Sequence, residues 1–294
     1  MRPLLLLLLL ACASEPSKPS GDEATADTGD AADTDSDTDT DTDTDTDTDS
    51  DSDSDSDTDT DSDSDTDDTG TGTVVTVDPP LGLSSGGSGG AAYPGAGASV
   101  TLGGVGAGIL TPSNAASASN LPFLLVYSGV EGESLMLQNM AGLGPYLGLG
   151  DAVVVVLDGR YRDAADGEAV IDAVRAAYDI DNDRTWLLSE SAGTTAGLEL
   201  GLDRRPSFFA AYWANDVNAQ RTPTYTATEL GFAPWGNAGP GGAYADADAI
   251  VAGMAAAGYR LPSDAPYSGP GAGTHGDTNQ FIAAVEFFVG KTRQ

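Results

Sequence analysis

Apolar residues between positions 74 and 294 form short continuous runs, and amphipathic stretches separate these runs. Residues 121–127 and 151–157 are almost entirely apolar, which is typical of strands covered on both faces of a sheet. Further short strands are predicted at residues 74–77, within 99–110, and at 185–188, 208–213 and 259–261. Helices are predicted between and after the strands, at residues 133–147, 166–178, 192–202, 246–258 and 278–288.

This alternation of strands and helices predicts an α/β fold. Strands separated by helices favour a mostly parallel sheet with helices on both faces. Two residues are expected to mark helix ends: Asp246 as an N-terminal cap, and Gly290 just after the last helix.

The N-terminus predicts a targeting segment rather than part of the fold. One arginine precedes seven leucines, Leu4 to Leu10, so residues 1–11 have the pattern of a signal peptide. The run is much shorter than the roughly 20 apolar residues that span a bilayer. The residues before Cys12 resemble a bacterial lipobox, which implies a lipidated Cys12; an ordinary signal peptide with an incidental cysteine is the alternative. The residue after Cys12 is not Asp. The resemblance then implies an anchor in the outer membrane, with the protein either in the periplasm or on the cell surface.

Residues 12–73 predict a disordered spacer. From Asp33 to Asp67 every second residue is Asp, alternating with Thr or Ser. Such a segment has no apolar surface to bury, and repulsion between its carboxylates keeps it extended, with a reach of at most about 200 Å. Specific calcium binding is the weaker alternative, because an EF-type loop needs a turn Gly and a distal Glu that are absent.

Charge and rare residue types exclude several classes of function. The formal net charge is −34, and residues 13–73 hold 24 of the 46 acidic residues. No basic stripe exists that could bind nucleic acid. One Cys and one His cannot form a disulfide scaffold or supply the ligands of a protein zinc site, so no metal is expected.

A short motif after the third buried strand carries the candidate chemistry. Ser189-Glu-Ser191-Ala-Gly193 lies between a predicted strand and a predicted helix, which is the context of a nucleophile elbow. Small residues on both sides of Ser191 let the strand and helix backbones approach closely. The helix start at Ala192 would supply N–H donors to an oxyanion. The alternative is an ordinary turn in which Ser191 only caps the helix.

A serine nucleophile needs a base, and the chain has a single histidine. His275 follows Ser191 in the chain and lies on a glycine-rich loop before the last helix. This is the position that the histidine of an α/β-hydrolase occupies. A solvated loop histidine without a role is the alternative.

Residues 74–294 resemble an α/β-hydrolase, closest to secreted esterases of the polyhydroxybutyrate-depolymerase and feruloyl-esterase type. The passage from Asp179 to Gly193, with its D-x-D-x-x-R segment, strand and elbow, carries the resemblance. The resemblance implies capping roles for Asp181 and Asp183. The first elbow position departs from the family pattern, since Ser189 stands where Gly is usual.

The acid of the expected triad is the larger departure. The family usually places an Asp where this chain has Gly239. Asp216, after the preceding strand, is the best substitute, and Asp246 is the second choice. Without an acid the imidazole would lack its orienting partner.

A second oxyanion donor is expected from the loop after residues 121–127. The N–H of Gly129 or Val130 is the candidate, and a plain turn is the alternative. Five aromatic residues are predicted either to line a substrate pocket or simply to pack in the core: Trp213, Tyr225, Phe232, Trp235 and Tyr244.

These residues predict a serine hydrolase, most simply an esterase, that acts on a small or polymeric ester through an acyl-enzyme and needs no cofactor. The alternative is an inactive α/β-hydrolase-like surface module that binds a ligand. A peptidase of the same fold is disfavoured, because the domain leaves no room for a gating domain. The sequence does not determine the natural ester or the oligomeric state.

Overall fold

A computed structural model describes residues 77–241 and 244–294. The predicted signal peptide at residues 1–11, the lipidation site Cys12 and the spacer at residues 12–73 lie outside the described residues. Within the described ranges, no helix combines the length and the apolar character that crossing a bilayer requires.

The domain is built on one open sheet of seven strands in the order β1-β2-β4-β3-β5-β6-β7. Strand β2 pairs antiparallel with both of its neighbours, β1 and β4. All other neighbouring strands are parallel. This confirms the predicted mostly parallel α/β architecture. The strand bounds are β1 Ala98–Leu102, β2 Val105–Leu110, β3 Leu121–Tyr127, β4 Val153–Leu157, β5 Ile180–Glu190, β6 Ala211–Asn215 and β7 Trp235–Ala238.

Helices cover both faces of the sheet, as the sequence predicts. Their bounds are α1 Gly132–Leu143, α2 Ala164–Ala177, α3 Thr194–Glu199, α4 Ala227–Leu230, α5 Tyr244–Ala256 and α6 Thr278–Phe288. Helices α1 and α6 pack their apolar residues into one buried cluster, and α2, α3 and α5 pack into the other. Every residue of β3 and β4 is buried between these two layers, which explains why their sequences are continuous apolar runs.

Several predicted bounds are wrong in detail. Strand β5 starts at Ile180 rather than at residue 185, and β6 starts at Ala211 rather than at residue 208. The strand predicted at residues 259–261 is reduced to one bridge, between Trp235 and Arg260. Helix α5 begins at Tyr244, so Asp246 lies inside its first turn and does not precede the helix. Helix α6 has its predicted bounds.

Candidate active site

Ser191 lies directly after the last residue of β5, at the carboxyl edge of the sheet. It opens a short 3₁₀ turn, Ser191–Gly193, which continues into α3. Its φ of 46° is in the left-handed region, which residues other than glycine adopt only at a cost in conformational energy. The side chain is 8% exposed. The strand, the strained residue and the helix together form the geometry of a nucleophile elbow.

Small residues make this turn possible. A Cβ at Gly193 would lie 2.7 Å from the Ser128 carbonyl oxygen, so only glycine fits there. Ser189, at the position where glycine is usual, is accommodated because Gly197 of α3 faces it; a Cβ at Gly197 would collide with the Ser189 Cβ. The departure at Ser189 is therefore compensated on the facing helix.

Asp216 lies directly after β6, the strand next to β5, and is almost fully buried. Its Oδ1 accepts a hydrogen bond from Gln280 Nε2 at 2.7 Å, and its Oδ2 accepts one from the Gly276 N–H. Burial raises the pKa of Asp216, whereas the Gly276 hydrogen bond, the nearby His275 and the Gln280 hydrogen bond lower it. Gln280 was not anticipated; its only signal was a polar residue on the buried face of α6.

His275 is exposed on the loop that precedes α6. The next residue, Gly276, anchors this loop to Asp216 through its N–H, and the charge of His275 is close enough to affect the pKa of Asp216. Among the described residues, the imidazole makes no hydrogen bond or ion pair, and the Ser191 hydroxyl makes no hydrogen bond. The structure thus brings the loop of His275 to Asp216 but does not join the imidazole to Ser191 or to Asp216.

The other two positions considered for the triad acid are Gly239 and Asp246. Gly239 has no room for a side chain, because a Cβ there would collide with Asn215 Oδ1 and Gln280 Oε1. Asp246, on α5, accepts a hydrogen bond from Gln220 Nε2 at 2.5 Å. Of these positions, only Asp216 is hydrogen-bonded to the loop that carries His275.

The candidate oxyanion loop lies against Ser191. A Cβ at Gly129 would be 3.3 Å from the Ser191 Cβ, and a hydrogen bond from the Gly132 N–H to the Gly129 carbonyl closes the turn. The Gly129 N–H, however, donates to Glu131 Oε1 at 2.8 Å. Val130 is 60% exposed. Ala192 follows Ser191 in the 3₁₀ turn, so its N–H lies at the same edge of the sheet.

Two further acidic residues lie near Ser191, and the sequence analysis did not identify them. Burial raises the pKa of Glu190 well above its ordinary value, and the charges of Glu131 and Asp216 raise it further. Among the described residues, the buried Oε2 of Glu190 has no hydrogen-bond partner. Burial also raises the pKa of Glu131, against the effect of two backbone hydrogen bonds. The Glu–Ser dipeptide was the available signal for Glu190.

The aromatic residues considered for the pocket mainly pack in the core. Trp213 and Phe232 are buried, and the Trp213 ring packs at a tilt against the rings of Tyr267 and Phe287. Trp235 lies against the side chains of Arg260 and Lys291. Tyr225 is partly buried against the core, and the side chain of Tyr244 lies outside the described residues.

The D-x-D-x-x-R segment has a structural role, consistent with the roles implied for its two aspartates. Asp181 pairs with Arg184 at 2.7 Å. Asp183 accepts a hydrogen bond from the Gly82 N–H and pairs with the buried Arg293. Neither aspartate contacts Ser191. No cluster of His, Cys, Asp and Glu in the described part of the chain could hold a metal ion.

The sequence matches no protein-family profile and no curated protein. The fold is similar to several solved structures. A thermostable esterase has a TM-score of 0.47 and 14% identity over 64% of this chain, which spans 59% of the esterase. The feruloyl esterase module from Clostridium thermocellum has a TM-score of 0.39 and 13% identity, over 54% of this chain and 72% of the module.

A hormone-sensitive lipase from a metagenome library has a TM-score of 0.40 and 14% identity, over 59% of this chain and 76% of the lipase. At identities this low, similarity of fold does not extend to substrate or mechanism.

Proposed function

We propose that residues 74–294 form a serine hydrolase that cleaves carboxylic esters through an acyl-enzyme on Ser191. The observation that carries this proposal is the backbone of Ser191, which holds a left-handed φ at the end of a central parallel strand and at the start of a helical turn. A strained residue in such a place indicates a function that requires its side chain at the edge of the sheet.

In the proposed reaction, the Ser191 Oγ attacks the ester carbonyl and His275 takes the hydroxyl proton. The resulting oxyanion accepts hydrogen bonds from the Ala192 N–H and from the Gly129 or Val130 N–H. Collapse of this intermediate breaks the bond to the alcohol, which leaves with the proton from His275. A water molecule, deprotonated by His275, then attacks the acyl-enzyme. Collapse of this second intermediate breaks the bond to the Ser191 Oγ, which takes the proton back from His275, and releases the acid.

Asp216 is proposed as the positioning acid for His275. It is buried, it follows the strand next to that of Ser191, and its carboxylate holds the backbone of the His275 loop. For direct contact, the imidazole has to turn toward Asp216 when substrate binds. Catalytic hydrogen bonds are often long in unliganded sites and shorten in the substrate complex.

Labelling with a fluorophosphonate tests the proposal. The wild-type protein and Ser189→Ala are expected to be labelled, because Ser189 keeps its Cβ contact with Gly197 when only its hydroxyl is removed. Ser191→Ala should not be labelled. Absence of labelling in the wild type, or labelling that persists in Ser191→Ala, would exclude the mechanism.

A second candidate function is an inactive surface module that binds a ligand. The observation that favours it is the exposed imidazole of His275, which makes no side-chain hydrogen bond among the described residues. A wild-type protein that folds but neither reacts with fluorophosphonate nor cleaves short acyl nitrophenyl esters would support this candidate.

We further propose that a lipid on Cys12 tethers the domain to the outer membrane through the acidic spacer. The support is the lipobox-like sequence before the only cysteine of the chain. Incorporation of labelled palmitate into the wild type, but not into Cys12→Ser, tests this proposal. Palmitate labelling that persists in Cys12→Ser would exclude it.

A further inference from the structure

The carboxylate of Glu131 lies beside the nucleophile and on a backbone donor that the proposed reaction needs. Its Oε1 accepts the Gly129 N–H at 2.8 Å. A Cβ at Gly129 would lie 2.6 Å from Glu131 Oε2 and 3.3 Å from the Ser191 Cβ, so the carboxylate and the serine side chain flank the same backbone atom. Glu131 is half-buried and follows the exposed Val130. Part of Glu131 is therefore exposed to solvent.

This hydrogen bond competes with catalysis. The tetrahedral intermediate of ester hydrolysis carries a full negative charge on one oxygen, which backbone N–H groups must stabilise. If the Gly129 N–H is one of these donors, the Glu131 carboxylate occupies part of the oxyanion site. Two negative oxygens cannot approach one another there without strong repulsion in a partly buried place. Glu131 therefore has to move away, or be neutralised, before this donor can act.

The charge around Ser191 favours a positive partner for Glu131. Glu131 and Asp216 each lie close enough to Glu190, at the end of β5, to raise its pKa, and Asp158, on the loop after β4, lies close to Glu131. The cation that acts on Glu131 is Arg160, whose guanidinium is committed to Asp158 through two hydrogen bonds. The buried Oε2 of Glu190 also finds no donor among the described residues. The carboxyl groups near Ser191 thus include oxygen atoms without a donor, to which a cationic group could bind.

We propose that Glu131 is a specificity-determining residue that favours esters carrying an ammonium group over neutral esters. The inference rests on the proposed function. An ammonium group near the scissile bond pairs with the Glu131 carboxylate and draws it off the Gly129 N–H, which then becomes available to the oxyanion. A neutral ester offers no such compensation, and an anionic ester is repelled.

An isosteric pair of substrates tests this inference. The trimethylammonium-ethyl ester and the 3,3-dimethylbutyl ester of butanoic acid differ in charge and hardly in shape. For the wild type, kcat/KM is expected to be about tenfold higher for the cationic ester, the size of a 1.4 kcal/mol difference in transition-state binding. In both Glu131→Ala and Glu131→Gln this ratio should fall toward one. In Glu131→Ala the freed Gly129 N–H lets the neutral ester be cleaved faster, whereas in Glu131→Gln, whose amide oxygen can still accept that N–H, the cationic ester loses its charged partner.

Glu133→Gln is the matched control. Glu133 lies two residues away and also carries a negative charge, but its carboxylate accepts hydrogen bonds from Ser99 and Ser134 and not from the oxyanion loop. This variant should keep the wild-type ratio. Thermal melts verify that all variants are folded. The use of two different replacements at Glu131 guards against a folding defect in one of them.

The outcomes separate the two levels of inference. Equal cleavage of the two esters by the wild type, or a cationic preference that survives in both Glu131 variants, overturns the role of Glu131 and leaves the hydrolase proposal intact. Failure of every variant to cleave any ester, together with no fluorophosphonate labelling at Ser191, overturns the hydrolase proposal and the inference that rests on it.

Discussion

Ser191 and Asp216 occupy matching positions on neighbouring parallel strands, and both have a left-handed backbone. Glu190 of β5 pairs in register with Asn215 of β6, and Ser191 and Asp216 are the residues that follow. Their φ angles are 46° and 48°. Asn120 is the remaining non-glycine residue with a positive φ in the described part of the chain. The two strained residues therefore lie side by side at one edge of the sheet, where α/β folds bind their ligands.

Asp216 should be required for activity in a way that Asp246 is not. Asp216→Asn places a second amide against the Gly276 N–H and the Gln280 amide, and it removes the charge that would orient and stabilise a protonated His275. If the proposed function holds, we expect kcat to fall at least about a hundredfold. Steady-state hydrolysis of a short acyl nitrophenyl ester measures this fall. Asp246→Asn, the control, should retain activity, and a similar loss in both variants would contradict the assignment.

Replacing Ser191 by glycine should stabilise the fold relative to alanine. The left-handed φ of residue 191 is unfavourable for any residue with a Cβ and costs glycine little. We expect the free energy of unfolding of Ser191→Gly to exceed that of Ser191→Ala by about 1 kcal/mol. Urea denaturation of the two variants measures the difference. Both lack the nucleophile, so the comparison isolates backbone strain. An alanine variant as stable as the glycine variant would show that the turn is not strained.

Gly241 should tolerate no side chain, because the backbone there covers Asp216. A Cβ at Gly241 would overlap Asp216 Oδ1, and the residue also has a positive φ. We expect Gly241→Ala to lower the free energy of unfolding by about 2 kcal/mol or more, measured by thermal melting and denaturant titration.

Gly273, on the same loop as His275, is the control for this effect. A Cβ there would meet no atom within 4 Å. Gly273→Ala should have nearly the stability of the wild type. A Gly241→Ala variant as stable as Gly273→Ala would mean that the segment around Gly241 packs differently over Asp216.

Glu190 should make the protein less stable as the pH rises. Burial and the charges of Glu131 and Asp216 raise the pKa of its carboxyl group in the folded state. Above the ordinary Glu pKa, the folded protein then binds more protons at this residue than the unfolded chain does. The free energy of unfolding falls with rising pH in that window, and the full stability is present only below it.

Glu190→Gln removes this dependence, because the amide does not titrate. We expect the variant to melt at nearly the wild-type temperature at pH 5 and about 2–4 °C higher at pH 8, the shift that 1 kcal/mol produces in a domain of this size. Glu286→Gln, on the exposed face of α6, is the control and should show no such pH-dependent gain. An equal gain at both pH values would assign the effect to something other than titration of Glu190.

Where local signals were strong, the sequence predicted the structure well. Helix α6 has its predicted bounds because an Asp277 cap, a period of apolar residues and a terminal glycine all agree. The predicted start of β5 is five residues too late, because residues 180–184 are mostly polar. Ile180 pairs with Leu121 of β3 and Asp181 forms a bridge with Ser84, and no local pattern signals these distant contacts. The strand predicted at residues 259–261 is wrong for the opposite reason, since its apolar residues favour a strand but only Arg260 forms a bridge, with Trp235.

The candidate site was predictable in part. Ser191 could be recognised because an elbow needs a local strand, a local helix and small residues that are adjacent in the chain. Glu131 and Gln280 could not be assigned to the site, because their proximity to Ser191 or Asp216 depends on how distant segments meet. Glu190 adjoins Ser191 in the chain, but its position beside Glu131 and Asp216 depends on the same distant segments. The hydrogen bond from Gln280 to Asp216 joins residues 64 positions apart.

The sequence by itself determined the α/β architecture, the two-sided burial of the central strands and the position of the strained serine, because each is encoded by residues close together in the chain. Only the tertiary structure decided which carboxylates surround that serine and which donors they occupy. Those contacts arise where parallel strands end side by side, and the register between strands is set by packing across the whole sheet rather than by any local pattern.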